Sequence, residues 1–276
     1  MKKESLIIFT PFLALIFLYG YLIEPYNPEL VEQTLVYQDL PYSLDNLKII
    51  HLSDFHCRGF TAREKKLVEI IDKERPDFIF FTGDFLENDK WIYSCENLIW
   101  QIFQKNSNFF GVFGNHDHQI NTPIQDLEED FEKRGITILV NEAQELKFKG
   151  SSFYLIGVDD PYLDYDNLEL ALTGVKEDKF KILLSHSSAI FMKDRELILD
   201  NAINLILSGH THGGQVNVPF FTNFFISLWL GGKYTAGLFR EGGTFIYVNR
   251  GIGTFHLFPI RLNSPPEVTL IILKRK

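Results

Sequence analysis

Cysteine is scarce in this chain, with Cys57 and Cys95 the only two among 276 residues. Two cysteines are too few for a disulfide framework, and they leave the redox compartment open. Cys57 directly follows His56, a candidate metal ligand. Cys57 is therefore either a packed thiol, which we favour, or an additional thiolate ligand.

Positive charge is also in short supply. The chain has 27 lysines and arginines against 36 aspartates and glutamates, a formal net charge of −9, and no basic run. Nucleic-acid binders use Lys and Arg to neutralise phosphates, so a nucleic-acid partner and a nuclease activity are both disfavoured. Bound divalent ions would still supply positive potential locally. No obligate protein partner is evident.

Repeats, low-complexity tracts and a second domain boundary are absent from the sequence. A chain of this length suits one large α/β domain with a small appendage. We predict an anchor over residues 1–24, a linker and opening strand over residues 25–46, and the main domain over residues 47–276.

One long apolar run lies at the N-terminus. Residues 6–23 are almost wholly apolar, and about 20 such residues span a bilayer. The run ends in Glu24-Pro25 without the small-residue cleavage site of a secretory signal, so an uncleaved transmembrane anchor in the cell membrane is favoured. Lysines before the run favour a main domain that lies outside the cytoplasm. An anchor lying in the membrane interface would leave that domain cytosolic, so its side stays open.

Five short apolar strands each end in Asp, Asn or His. In open α/β sheets, ligands bind outside the carboxyl ends of the strands, so the five clusters are expected to meet in one crevice. Glycines in several of these turns allow tight backbone bends. In chain order the clusters are Asp54-Phe55-His56, Gly83-Asp84, Gly114-Asn115-His116-Asp117, Ser185-His186 and Gly209-His210-Thr211-His212.

Carboxylate, amide and imidazole groups with no thiolate cluster favour Mn, Fe or Zn over Ca or an iron–sulfur centre. Seven ligands exceed the need of one ion and fit two ions about 3.5–4 Å apart with one bridging carboxylate. Such a pair activates water and neutralises phosphoryl oxygens. The candidate ligands are Asp54, His56, Asp84, Asn115, His186, His210 and His212.

The order of these motifs resembles the calcineurin-like metallophosphoesterase superfamily over roughly residues 47 to 272. The resemblance implies a layered α/β sandwich of two mixed β-sheets flanked by helices, here preceded by the anchor helix. It also implies that Asp84 bridges the two ions, and that His116 stabilises or protonates the leaving oxygen while Asp117 orients its ring. One ion would take Asp54, His56 and His212; the other would take Asn115, His186 and His210.

Later motifs narrow the resemblance to bacterial membrane-anchored phosphoesterases. That branch includes cell-envelope phosphodiesterases and an enzyme that hydrolyses UDP-2,3-diacylglucosamine in lipid A biosynthesis. A phosphodiester or pyrophosphate bond in a membrane-associated or nucleotide-linked substrate is the expected target. A general cell-envelope phosphodiesterase or phosphatase, or a metal-binding scaffold without turnover, is the alternative. The motifs are Gly213-Gly214-Gln215-Val216, Tyr234-Thr235-Ala236-Gly237, Tyr247 to Gly253, and Pro259-Ile260-Arg261.

Arginines are the candidates for gripping substrate phosphate, because guanidinium binds it with two parallel hydrogen bonds. Arg250 is preferred because it follows a strand and precedes Gly251, and Arg58 is the second candidate. Arg58 and Arg261 fit surface or ion-pair roles equally well.

Several other features receive expectations of their own. His51 is expected to be structural, His118 to lie on the surface, and Asp159-Asp160 to form a turn; His256 has no assigned role. The aromatic stretch at residues 220–230 is either core or a loop that contacts membrane or acyl chains.

Helices are predicted over residues 62–73, 89–104 and 124–134, from apolar periodicity and from Pro123 and Gly135 at the ends of the last one. Strands are predicted over residues 31–40, 153–158, 244–248 and 267–273.

Overall fold

The computed structural model describes residues 3–218, 233–255 and 258–276. In this part of the chain, twelve strands form two six-stranded mixed sheets. The strands are β1 Glu29–Tyr37, β2 Lys48–Leu52, β3 Phe78–Thr82, β4 Phe109–Val112, β5 Thr137–Ile138, β6 Glu142–Phe148, β7 Ser151–Gly157, β8 Lys181–Leu184, β9 Leu205–Ser208, β10 Gly237–Glu241, β11 Thr244–Val248 and β12 Glu267–Arg275.

The described helices flank these sheets or precede them. They are α1 Lys3–Leu22, α2 Ala62–Glu74, α3 Ile92–Phe103, α4 Ile124–Glu132, α5 Leu168–Ala171, α6 Ile190–Lys193 and α7 Arg195–Asp200. Helices α2, α3 and α4 pack on the outer face of the first sheet, and α5, α6 and α7 on the outer face of the second.

The first sheet has the order β1-β12-β2-β3-β4-β5, and the second has the order β10-β11-β9-β8-β7-β6. Strands β2, β3, β4 and β5 run parallel, as do β7, β8, β9 and β11. Each sheet therefore presents a row of strand carboxyl ends on one edge, which confirms the predicted two-sheet α/β sandwich.

Strand β3 shows why both sheet faces are buried. Phe78 and Phe80 point into the core between the two sheets, whereas Ile79 and Phe81 pack against the outer helices. Side chains alternate across a strand, so a continuous apolar run fills both layers. This pattern is typical of parallel strands covered on both sides.

The predicted helices are confirmed, with small shifts at their ends. Helix α2 begins after Thr61, whose backbone N–H donates to Glu64 Oε2 at 2.7 Å in a capping box. The predicted helix over 89–104 is a 3-10 turn, Asp89–Trp91, followed by α3. Helix α4 ends at Glu132, just before Gly135, which has φ of 99°.

The N-terminal run forms α1, whose end contacts the domain. The Arg261 N–H donates to the Gly20 carbonyl at 2.9 Å. Within the described residues, no helix is both long and apolar enough to cross a bilayer. The anchor and the domain boundaries therefore stay predictions. The aromatic stretch at residues 220–230 and His256 lie outside the described residues.

Phe80 lies wholly buried between the sheets, so we expect Phe80→Ala to destabilise the fold. The loss should be about 3–5 kcal/mol in the free energy of unfolding, because truncation leaves a cavity in a packed core. Tyr93→Ala, at an exposed position on α3, should change that free energy by less than about 0.5 kcal/mol. Urea denaturation of both variants measures the difference, and equal effects would contradict the assignment of Phe80 to the core.

Candidate metal centre

The seven predicted ligands all lie just beyond strand carboxyl ends. Asp54 follows β2 by two residues, as Asp84 follows β3, His186 follows β8 and His210 follows β9. The backbones of Asp54, His56, Asp84, His210 and His212 have φ between 42° and 72°, in the left-handed region. Such strained conformations in non-glycine residues cluster at functional sites. The turns therefore aim these side chains inward at the expense of backbone energy.

The first group of facing atoms comes from Asp54, His56 and His212. The Nε2 atoms of the two imidazoles are 3.0 Å apart. Asp54 Oδ1 lies 3.5 Å from His212 Nε2 and 4.0 Å from His56 Nε2. These three side chains form a cluster able to hold one metal ion.

The second group surrounds His186. Its Nε2 atom lies 3.1 Å from His210 Nδ1, 3.1 Å from Asn115 Oδ1 and 3.3 Å from Asp84 Oδ2. Asp84, His186 and His210 form the second cluster able to hold an ion. The structure therefore brings all seven predicted ligands together.

Asp84 lies between the two groups. Its Oδ2 atom is 3.3 Å from His186 Nε2 and 3.5 Å from His56 Nε2. Burial raises the pKa of Asp84, but the charges of His186 and His56 outweigh it and hold the pKa well below its usual value. This carboxylate is thus ionised and shared by both groups.

The spacing of the donor atoms suits divalent metal ions. Ligand atoms on neighbouring corners of a shell with bonds of about 2.1 Å are about 3.0–3.4 Å apart, close to most of the distances above. His186 Nδ1 lies 2.8 Å from the Thr82 carbonyl, to which it donates, so Nε2 is the nitrogen left to bind a metal when the imidazole is neutral. That hydrogen bond is the usual device for orienting a metal-binding imidazole.

Glu87 is a site residue that the sequence analysis missed. Its Oε1 atom lies 2.9 Å from His56 Nδ1, and it clusters with His56 and His116. A carboxylate on the second nitrogen of an imidazole fixes which nitrogen faces the metal. The sequence could have indicated Glu87, because it follows the ligand Asp84 by three residues and therefore belongs to the same turn after the strand.

His116 lies at the mouth of the cluster. Its backbone N–H donates to Asp84 Oδ1 at 2.9 Å, and its ring centre is 5.0 Å from that of His56. The ring is half-buried, and burial lowers its pKa below the ordinary histidine value. A largely neutral imidazole thus stands next to the candidate ligands without belonging to either group of facing atoms.

Asp117 has a contact pattern different from the one expected. Its Oδ2 accepts the backbone N–H groups of Asp84 and Gly114, and its Oδ1 accepts that of Leu86. Both carboxylate oxygens therefore tie the Asp84 turn to the His116 turn. The expected hydrogen bond to the His116 ring is replaced, because the turn amides need buried acceptors.

The two predicted phosphate-binding arginines differ in position. Arg250 is committed to an ion pair, with its Nε 2.5 Å from Glu267 Oε2. Arg58 donates to the Thr254 carbonyl at 2.9 Å and lies 4.0 Å from Glu87 Oε1, beside the cluster. Arg261 is wholly buried, donates to several backbone carbonyls and lies 3.3 Å from His212 Nδ1.

The remaining histidines are accounted for. His51 is buried in β2 with its Nε2 3.0 Å from Thr82 Oγ1, a structural role as expected. His118 was expected on the surface, but its Nε2 lies 2.7 Å from Asp159 Oδ1 and both side chains are only about a tenth exposed. The ion pair draws His118 inward and adds a specific partner to the predicted Asp159-Asp160 turn.

The sequence of residues 47–214 matches the family model described as calcineurin-like phosphoesterase. The chain belongs to this family. The ligand clusters and the family membership together make it a metal-dependent phosphoester hydrolase.

Relatives extend over most of the chain. An uncharacterised metallophosphoesterase of Bacillus subtilis, YkuE, is 34% identical, covering 93% of this chain and 90% of its own. The phosphodiesterase YaeI of Escherichia coli is 29% identical, covering 87% of each. A Bos taurus protein named transmembrane protein with metallophosphoesterase domain is 31% identical over 85% of this chain and 54% of its own. The Thermus thermophilus structure TT1561, 12% identical with a TM-score of 0.51, covers 75% of this chain and 90% of its own and shares the fold.

The His118–Asp159 pair makes stability depend on pH. Burial lowers the pKa of His118, but the Asp159 carboxylate outweighs it and raises the pKa. A raised folded-state pKa means that the pair stabilises the fold fully below the unfolded-state pKa of about 6.5, and that this contribution is lost as pH rises through the raised folded-state pKa. We expect His118→Gln to lower the free energy of unfolding more at about pH 5.5 than at about pH 9. Urea denaturation at both pH values tests this, and equal losses would contradict it.

Proposed function

We propose that this chain is a dinuclear phosphodiesterase, cleaving a phosphodiester or pyrophosphate bond with water. The observation that carries the proposal is the position of Asp84, whose single Oδ2 atom faces an imidazole of each ligand group. A bridging carboxylate of this kind is the feature that distinguishes a two-ion site from two separate sites. The phosphodiesterase name of the relative YaeI supports the choice of a diester.

Each ligand receives a role in this proposal. Asp54, His56 and His212 would hold one divalent ion, and Asn115, His186 and His210 the other, with Asp84 between them. Two such ions, of Mn, Fe or Zn, would supply positive charge to phosphoryl oxygens and lower the pKa of water. Glu87 orients His56 through the 2.9 Å contact to Nδ1.

His116 is the proposed catalytic group outside the ligand set. Its ring contacts that of His56, and its burial favours the neutral form. It would stabilise charge on the leaving oxygen or transfer a proton to it. Asp117 is a positioning residue, because it holds the backbone turns that carry Asp84 and His116.

Among the arginines, Arg58 is the better proposed phosphate contact. Its guanidinium lies beside Glu87, near the clusters, whereas that of Arg250 is paired with Glu267. A guanidinium next to the ligands would neutralise phosphoryl charge that the ions leave unbalanced.

We further propose that residues 1–24 attach the catalytic domain, residues 47–276, to a membrane through the segment of residues 25–46. The apolar composition of α1 supports the attachment, and a relative is named as a transmembrane protein. UDP-2,3-diacylglucosamine, a lipid A precursor, is the narrowest substrate hypothesis and rests on the sequence resemblance alone. A general cell-envelope phosphodiester is the broader alternative.

Hydrolysis of bis-p-nitrophenyl phosphate with added manganese tests the proposed chemistry. We expect His116→Ala to lower kcat roughly 10²–10⁴-fold, the usual worth of a positioned acid–base group, with little change in bound metal. A protein that binds metal but cleaves no diester would support the scaffold alternative. An unimpaired His116→Ala variant would remove His116 from the mechanism.

Asp84→Ala tests whether one carboxylate serves both ions. We expect this variant to lose most of the metal that the wild type retains after dialysis, because both groups lose a shared ligand. Metal content per chain is the measurement. Asp89→Ala, which removes an aspartate that caps the turn at residues 121–122, is the control and should retain the wild-type content. Loss of only half the metal would show that Asp84 serves a single ion.

A further inference from the structure

From Leu13 to Leu22, helix α1 exposes apolar side chains around most of its axis, on every side except the one that carries Ile16 and Gly20. At 3.6 residues per turn, consecutive positions point about 100° apart, so a run of exposed neighbours covers most of the helix surface. A helix that is apolar on nearly all sides is suited to a protein core or to lipid, whereas a single protein partner would cover one side. The exposed side chains include Leu13, Leu15, Phe17, Leu18, Tyr19, Tyr21 and Leu22.

The end of this helix is fixed to the catalytic domain. The Gly20 carbonyl accepts the Arg261 N–H at 2.9 Å, and a Cβ on Gly20 would come within 2.8 Å of the Arg261 carbonyl oxygen. Four residues after Gly20, the buried Glu24 carboxylate accepts the Ser264 backbone N–H at 2.7 Å. Helix and domain thus meet at a close backbone contact that a larger residue at position 20 would disrupt.

Phe255 and Phe258, a few residues before Arg261 in the chain, lie between the end of the helix and the candidate active site. Phe258 N–H donates to the Phe255 carbonyl at 3.2 Å, and the Phe255 ring lies 6.1 Å from the ring of His116. Gln215, three residues after His212, accepts the Phe255 N–H at 2.7 Å and donates to the Phe258 carbonyl. Phe255 is 37% exposed and Phe258 is 51% exposed.

We propose that the exposed side chains of α1, with Phe255 and Phe258, form one lipid-facing surface that lies against a bilayer. The surface ends beside His116, so the site takes amphiphilic phosphoesters whose alkyl chains stay in the bilayer. Phosphodiester cleavage at this site is taken from the proposed function. Lipid is the occupant because it can cover every exposed side of α1 and also the two phenylalanines near the contact between Gly20 and Arg261.

An environment-sensitive fluorophore tests the surface without relying on activity. The native Cys57 and Cys95 are buried, so a nitrobenzoxadiazole label on the full-length Phe258→Cys variant reports position 258. Adding phosphatidylcholine–phosphatidylglycerol vesicles should raise and blue-shift its emission. Tyr42→Cys is the control, because Tyr42 is exposed beside Arg275, at the sheet edge opposite the metal centre. Unchanged emission at position 258, or the same change at position 42, would overturn the proposal.

A pair of esters tests the substrate class. Hexadecyl p-nitrophenyl phosphate in the same vesicles and ethyl p-nitrophenyl phosphate in solution share the reacting bond and differ in the alkyl chain. We expect Phe258→Ser to lower the ratio of the two rates about tenfold, the effect of losing one partly buried phenylalanine. Tyr42→Ser should leave that ratio at the wild-type value.

The outcomes separate this proposal from the proposed function. If Phe258→Ser lowers both rates equally, or Tyr42→Ser lowers the ratio as much, the lipid-facing surface is wrong and the diesterase activity stands. If the wild type cleaves neither ester, the diesterase proposal is wrong, and the fluorescence at position 258 alone decides whether the surface meets lipid.

Discussion

Asp84 Oδ2 faces His56 Nε2 at 3.5 Å and His186 Nε2 at 3.3 Å, and these two imidazoles come from different sheets. The contact therefore exists only if β2 and β3 of the first sheet and β8 of the second end at the same edge of the sandwich. Burying the phenylalanines and aliphatic residues between the sheets fixes that arrangement. The metal centre is thus a consequence of core packing, and the packed core holds the ligands in place.

The buried polar residues around the ligands follow from the same constraint. Concentrating carboxylates and imidazoles in a buried crevice is costly unless each finds a partner. Asp117 accepts three backbone amides, Glu87 faces His56, and Thr82 accepts from His186. Each contact fixes the orientation of a ligand or of the turn that carries it, so the site is organised by hydrogen bonds within the fold.

The location of the site also bears on how substrate arrives. The turn that carries Arg250 and Gly251 and the segment that carries Phe255, Phe258 and Arg261 connect the ligand cluster to the end of α1. These hydrogen bonds join the candidate site to the end of an apolar helix. The proposed lipid-facing surface would therefore bring the site to substrates held in a bilayer.

Much of this protein could be predicted from the order of its residues. The apolar runs that end in Asp54, Asp84, Asn115, His186 and His210 encode strands and their polar ends locally, so the ligands and the α/β class could be predicted, whereas the two-sheet sandwich followed from the family resemblance. Helices α2 and α4 could be predicted for the same reason, because the residues that end each helix and its apolar periodicity lie within the segment itself.

Only the tertiary structure decided the partners of the side chains around the ligands. Asp117 binds turn amides, Arg250 pairs with Glu267, and His118 turns inward to Asp159. Each of these pairings depends on how separate turns approach one another once the two sheets have docked. Sequence periodicity does not predict how these turns approach one another. A side chain's nearest partner in space is set by packing and by the cost of burying an unpaired polar group.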